Sequence, residues 1–174
     1  MSSVTVLNLV FPSTPSKPIH PPGFGYLVPR PPTGYEDAQD PGILGTVFDS
    51  CAILGQDGGD DDNRLTKLTV MIGGPYHHHY DTITPVSTIL NHLASQLSHQ
   101  TANRLPEPLL CRMHRHMDCI PMLGVGHLDR MKELSAALEG EPWVGRLKVI
   151  GAGVGGVSVG DCVRAGRDVG KEWV

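Results

Sequence analysis

The chain has 174 residues and a net charge of −4, long enough for one domain with a sizeable core and lacking the basic patch that nucleic acid selects. No apolar stretch approaches the roughly eighteen residues of a membrane span. The N-terminus shows no basic region, hydrophobic signal core or Arg-rich leader, so targeting is unreadable. Abundant Gly (21) and Pro (15) assign much of the chain to turns. Four scattered cysteines, Cys51, Cys111, Cys119 and Cys162, form no C-x-x-C pair and read as reduced thiols filling apolar gaps.

In chain order, Val4, Val6, Leu7, Leu9, Val10 and Phe11 predict a nearly continuous apolar strand, followed by a proline-rich loop over 12–22. Short strands are expected at 26–28, 43–48 and 65–72, each ended by Gly, Pro or Asp. Their alternation suggests an antiparallel, half-exposed sheet, with the acidic stretch GQDGGDDDN as a solvated loop. The period then changes. Thr84 suits an N-cap and Pro85 a first helical position, and Val86, Ile89, Leu90, Leu93 and Leu97 recur at helical spacing, giving a helix over 85–101. A strand is expected over 109–116 and a helix over 127–139, with Leu128, Met131, Leu134 and Leu138 on one face. The run 147–150 reads as a strand leading through a glycine-rich turn into a last helix from Ser158 to about Gly170. The fold class is α/β with α+β character.

Several stretches invite a chemical reading. His77, His78 and His79 are consecutive and diverge on any regular backbone, which favours a solvated loop over a metal site. CRMHRHMDC resembles a zinc cluster in composition. On a strand, however, Cys111 and Cys119 would face one way and His114 and His116 the other. No metal ligand set is assigned. Asp49-Ser50 and His127-Asp129 read as ordinary polar neighbours, and no acid/base pair or nucleophile stands out. Gly151, Gly153 and Gly156 fit G-x-G-x-x-G after an apolar run, yet only eighteen residues follow Gly156, without a returning strand. The turn is therefore no self-sufficient dinucleotide site. Val157, Ser158 and Val159 would offer backbone N–H groups at a helix start, where partial negative charge is favoured. Close packing of helix on strand accounts for the glycines as well.

VTVLNLVF, GFGYLVPRPP, DPGILGTVFDSCAILGQD, LTVMIGGPY, CIPMLGVGHLDRMKEL and GGVSVGDCVRAGRDV, in that order, resemble the C-terminal part of the protoporphyrinogen oxidases. These are flavoenzymes of haem biosynthesis related to the amine oxidases. The pieces run from Val4 to Val169. The resemblance implies that residues 1–106 form the last part of a substrate-binding domain, with a mixed or antiparallel sheet plus the helix 85–101. Residues 107–174 would return the chain into an FAD-binding domain, ending in its C-terminal βα unit. The first half of the family's fold, with its dinucleotide-binding turn and membrane-docking helices, is not matched, so the chain reads as a fragment.

The resemblance also implies roles. Gly156, Val157, Ser158 and Val159 would meet the flavin ring, and Phe24, Leu27, Val47 and Met71 would line an apolar porphyrinogen pocket. Without the resemblance these last four read as strand-core residues. The family activity is six-electron oxidation of protoporphyrinogen IX by FAD and O2, with release of H2O2. The implied partners are that small molecule and O2. The full-length family would add a possible homodimer and, in eukaryotes, the mitochondrial inner membrane. One departure is that Met122-Leu123 follow Ile120-Pro121 where the family reads Gln-Tyr, which removes an amide and a phenol near the flavin. The rivals are a diverged amine oxidase-like flavoprotein and a non-catalytic fragment pairing with a full-length oxidase. The isolated chain is expected to show negligible FAD affinity and no turnover.

Overall fold

A computed structural model describes residues 1–13, 18–29, 42–52, 65–73, 85–97 and 105–172. Its elements are β1 (Ser2–Pro12), β2 (Gly25–Leu27), β3 (Ile43–Phe48), α1 (Asp49–Ala52), β4 (Leu65–Gly73), α2 (Val86–Leu97), β5 (Leu110–Ile120), α3 (His127–Glu139) and α4 (Val159–Glu172). The strands form one sheet in the order β2-β3-β4-β1-β5. Two compact units emerge, Ser3–Met117 on one hand and Met1–Ser2 with Asp118–Val174 on the other.

In the first unit, β1 and β4 pair antiparallel from Val4↔Gly73 to Pro12↔Leu65. β3 is antiparallel to β4, with a register shift between Ile43 and Gly45, and β2 is antiparallel to β3. Strand pleating sends alternate side chains to opposite faces. Leu7, Leu9 and Phe11 of β1 therefore share a face with Leu68, Val70 and Ile72 of β4, and with Ile43 and Phe48 of β3. The apolar stripe of α2, Ile89, Leu93 and Leu97, joins this cluster and is buried with it. The helix opens where Ile89 N–H donates to the Pro85 carbonyl (3.3 Å). Tyr26 ties β2 to both layers, since its hydroxyl donates to Gln96 Oε1 (2.7 Å) and accepts from Thr46 Oγ1 (3.0 Å). Burial raises the Tyr26 pKa, partly opposed by the Thr46 hydrogen bond. His20 stacks on Phe48 at 3.9 Å between ring centroids.

The second unit holds α3 and α4, and neither helix has a buried residue. Of the expected stripe of α3, Met131, Leu134 and Leu138 are half-buried and Leu128 is exposed. Three expectations need correction. The run 147–150, read as the strand of a βα unit, is irregular, because no ladder pairs it among the described residues and an apolar run becomes a strand only when its backbone groups find partners. The strand expected over 109–116 extends to Ile120. The cysteines do not fill apolar gaps: Cys51, Cys111 and Cys119 are exposed and Cys162 is half-buried. His77–His79, Thr84, the acidic loop and positions 98–101 of the expected helix lie outside the described residues.

Truncating Leu93, which is fully buried, leaves a cavity between α2 and the sheet. Leu93→Ala should lower unfolding free energy by about 2–5 kcal/mol, measured by urea denaturation, whereas Asn91→Ala on the exposed face should change it by less than about 0.5 kcal/mol.

Candidate functional site

The face of the sheet opposite α2 is defined by register alone. Val6 pairs with Met71, Met71 with Gly45, and Gly45 with Leu27, so these four form one row across β1, β4, β3 and β2. The adjacent row is Asn8, Thr69, Val47 and Gly25. Three of the expected pocket residues, Leu27, Val47 and Met71, are thereby brought to one surface. Val47 and Met71 are half-buried, and Leu27 is 79% exposed. Phe24 precedes β2, with its carbonyl accepting from Phe48 N–H (2.9 Å) and its residue 69% exposed. These are not the strand-core positions that their apolar character alone suggests.

Two glycines permit the close approach of β2 and β3. A Cβ at Gly45 would stand 2.5 Å from the Tyr26 carbonyl oxygen and 3.0 Å from Leu27 Cδ2. At Gly25, where φ is +154°, it would collide with the Thr46 carbonyl oxygen. Both obstacles include backbone, which cannot step aside without opening the β2–β3 ladder. Gly45 is itself buried, with the Leu27 side chain lying against it.

A polar chain of residues distant in sequence borders this face. Asn8 Nδ2 donates to Thr69 Oγ1 (2.9 Å), which donates in turn to Asp49 Oδ2 (2.7 Å). Beside it, Lys67 N–H donates to Ser50 Oγ (2.8 Å), fastening α1 to β4. Asp49 and Ser50 thus organise the edge of the open face rather than being idle turn residues.

The second candidate region is the start of α4. Ser158 caps the helix, its Oγ accepting from Asp161 N–H (3.0 Å) and donating to Asp161 Oδ2 (2.6 Å). This is a Ser-x-x-acid box of the kind that satisfies first-turn donors. Cys162 N–H closes the first helical bond to the Ser158 carbonyl (3.1 Å). Asp161 pairs with Arg164 (3.7 Å) and lies over Gly156, where a Cβ would meet its Oδ2 at 2.6 Å. The Ser158 hydrogen bond, followed by smaller contributions including Arg164, holds the Asp161 carboxyl below its usual range. Gly156, Val157, Ser158 and Val159 are contiguous at this helix end, with Val157 and Val159 exposed. The Gly156, Val157 and Val159 amides make no backbone–backbone hydrogen bond outside the helices, whereas the Ser158 backbone helps to hold the Asp161 carboxylate. The helix start therefore combines available donors and aliphatic surface with a carboxylate already held by its own cap. Among the described residues no group of three or more His, Cys, Asp or Glu side chains could hold a metal ion.

No family model matches the chain. Curated relatives do. The chain is 32% identical to human protoporphyrinogen oxidase over 96% of its length, 32% identical to the bovine enzyme of that name over 95%, and 30% identical to that of Schizosaccharomyces pombe over 98%. It spans about a third of the length of each, 33%, 32% and 32% respectively. A crystal structure of a provisionally named protoporphyrinogen oxidase from Exiguobacterium sp. 255-15 shares the fold over 97% of this chain and 33% of that one, with a TM-score of 0.63 at 20% identity. The resemblance read from the ordered sequence segments is borne out, and its extent is fragment-like.

Two outcomes follow from this geometry. Gly45→Ala should open the β2–β3 edge, seen as faster amide exchange at Val28 and Phe48, whose N–H groups donate to Leu44 and Phe24. Ser158→Ala should return the Asp161 pKa toward the ordinary carboxylate value, read by carboxyl-carbon NMR titration. Because the folded pKa is depressed, the cap's contribution is present above the unfolded value and fades as pH falls through the folded one.

Proposed function

We propose that this chain supplies part of an oxygen-dependent protoporphyrinogen oxidase, with residues 1–106 in its substrate-binding domain and 107–174 in its FAD-binding domain. One coincidence carries this reading: similarity to enzymes of that name falls together with an apolar, open sheet face at Leu27, Val47 and Met71. Three inter-strand spacings separate β2 from β1, roughly 14 Å, which matches a tetrapyrrole laid flat. Such a ligand is held mainly by burying its faces. The exposed Leu27 and the half-buried Val47 and Met71 suit that contact. Phe24 would close one edge, while the Asp49–Thr69–Asn8 chain gives the other a hydrogen-bonding border.

The reaction removes six electrons and six protons from protoporphyrinogen IX in three two-electron steps. FAD, when bound, would supply the two-electron oxidising power, with O2 as the final acceptor and H2O2 as its product. The residues present fit contact with one end of that cofactor. Backbone donors at Val157 and Val159 would face the ring's polar edge, and the two valine side chains would exclude water. Ser158 and Arg164 keep the Asp161 carboxylate directed to the cap. The chain's own part in the chemistry is thus binding, orientation and dryness. Met122 and Leu123 add apolar surface where the resemblance implies an amide and a phenol. Alone, the chain is proposed to retain no flavin and to turn over no substrate. In a eukaryotic cell the complete enzyme would sit at the mitochondrial inner membrane, although no helix among the described residues is long and apolar enough to cross one.

One observation favours a second reading, a non-catalytic polypeptide that pairs with a full-length flavoprotein oxidase: neither α3 nor α4 buries a residue. Co-purification with such an oxidase, without porphyrin binding, would select it.

Porphyrin binding tests the main reading. Protoporphyrin IX fluorescence should respond to the purified chain, and Val47→Asp with Met71→Lys should weaken the affinity by at least ~10-fold, since each places charge where the porphyrin's apolar face would be buried. An exposed change far from the face, Lys132→Ala, should leave it unaltered. Equal affinity in all three proteins would overturn the assignment of the open face.

A further inference from the structure

The polar chain on the open face runs in one direction. Asn8 Nδ2 donates to Thr69 Oγ1 (2.9 Å), and the Thr69 hydroxyl donates to Asp49 Oδ2 (2.7 Å). With the hydroxyl hydrogen committed, acceptors are left at both ends, an amide oxygen on β1 and a carboxylate at the start of α1. Neither makes a further hydrogen bond among the described residues. All three residues are half-buried. Register sets them against the apolar positions: Thr69 is the direct partner of Val47 and stands two residues from Met71, about 5 Å and roughly 7 Å away across the sheet. A square ligand that covers Leu27, Val47 and Met71 therefore extends over Thr69 and meets the acceptors on either side of it.

Taking this face as the tetrapyrrole surface proposed above, we propose that Asn8 Oδ1 and the Asp49 carboxylate select the reduced tetrapyrrole by accepting hydrogen bonds from its pyrrole N–H groups. A porphyrinogen core carries N–H donors and no acceptor, because each pyrrole nitrogen lone pair belongs to its aromatic ring. Its saturated meso carbons let the rings tilt, so that N–H bonds can point out of the mean plane and onto a face. A porphyrin is planar, with its remaining N–H bonds directed at its own centre. Apolar contact with Leu27, Val47 and Met71 serves both forms alike, whereas the acceptors favour the reduced one. Beneath the planar form they are covered without a donor, and the cost of that desolvation adds to the missing bond. Oxidation thus removes the donors that hold the ligand, and the product is bound less tightly than the substrate.

The test compares both ligands on the full chain in the absence of oxygen. Protoporphyrin IX binding is followed by its fluorescence, and protoporphyrinogen IX, which is colourless and non-fluorescent, is titrated in as competitor. The wild-type chain should hold the reduced form at least ~10-fold more tightly. Asp49→Asn and Asn8→Leu should each lower that ratio by at least ~3-fold. Protoporphyrin IX affinity should stay within ~2-fold in both variants, which, with circular dichroism, shows the face intact. A wild-type ratio near one, or an unchanged ratio in both folded variants, would overturn the selection while sparing the open-face assignment. Binding of neither tetrapyrrole by the wild-type chain would sink that assignment and this inference with it.

Discussion

The ladder between β1 and β4 runs from Val4↔Gly73 to Pro12↔Leu65 in a single register. A slip of one residue would carry Leu7, Leu9 and Phe11 to the open face and drive Val6, Asn8 and Val10 against α2. It would also separate Asn8 from Thr69 and disperse the row that contains Met71. What fixes the register is burial: on one side of the ladder large apolar groups are almost wholly removed from water, and on the other a hydrogen bond joins the only polar pair. The core and the candidate binding face are thus two sides of the same constraint, and neither can be altered without the other.

The unit containing α3 and α4 rests on different physics. Neither helix has a fully buried residue, so local terms carry more of the order there, beside the half-buried Met131, Leu134 and Leu138. Gly140 N–H donates to Ala136 at the end of α3, Lys132 pairs with Asp129, and the Ser158–Asp161 box starts α4. Exposed ion pairs of this kind contribute little each. The sheet unit has a packed core and the helical unit has a set of caps, so their resistance to unfolding differs in kind.

Much of the architecture was legible because period is a local property. Strands β3 and β4 and helices α2 and α3 begin and end close to the positions that alternation or helical spacing indicates. Position 147 onward shows the limit: apolar character marks a segment that could pair but says nothing about the presence of a partner. β1 shows another, since Val4, Val6 and Val10 are as apolar as Leu7, Leu9 and Phe11, and only the tertiary fold decides which set meets α2. The Asn8–Thr69–Asp49 chain was invisible for a simpler reason, its members being 61 and 20 residues apart in sequence. The cysteines were misplaced by a statistical habit of burial that an exposed edge strand and a short helix do not share.

The contact between Gly156 and Asp161 has an evolutionary corollary. Any side chain at 156 would occupy the space of the carboxyl group that completes the cap, so the two positions can drift only as a pair. A lineage that keeps the acid must keep the glycine, whatever becomes of its chemistry. One that exchanges Asp161 for a smaller residue releases 156 to vary, and correlated change at these two sites would record the geometry of a helix end.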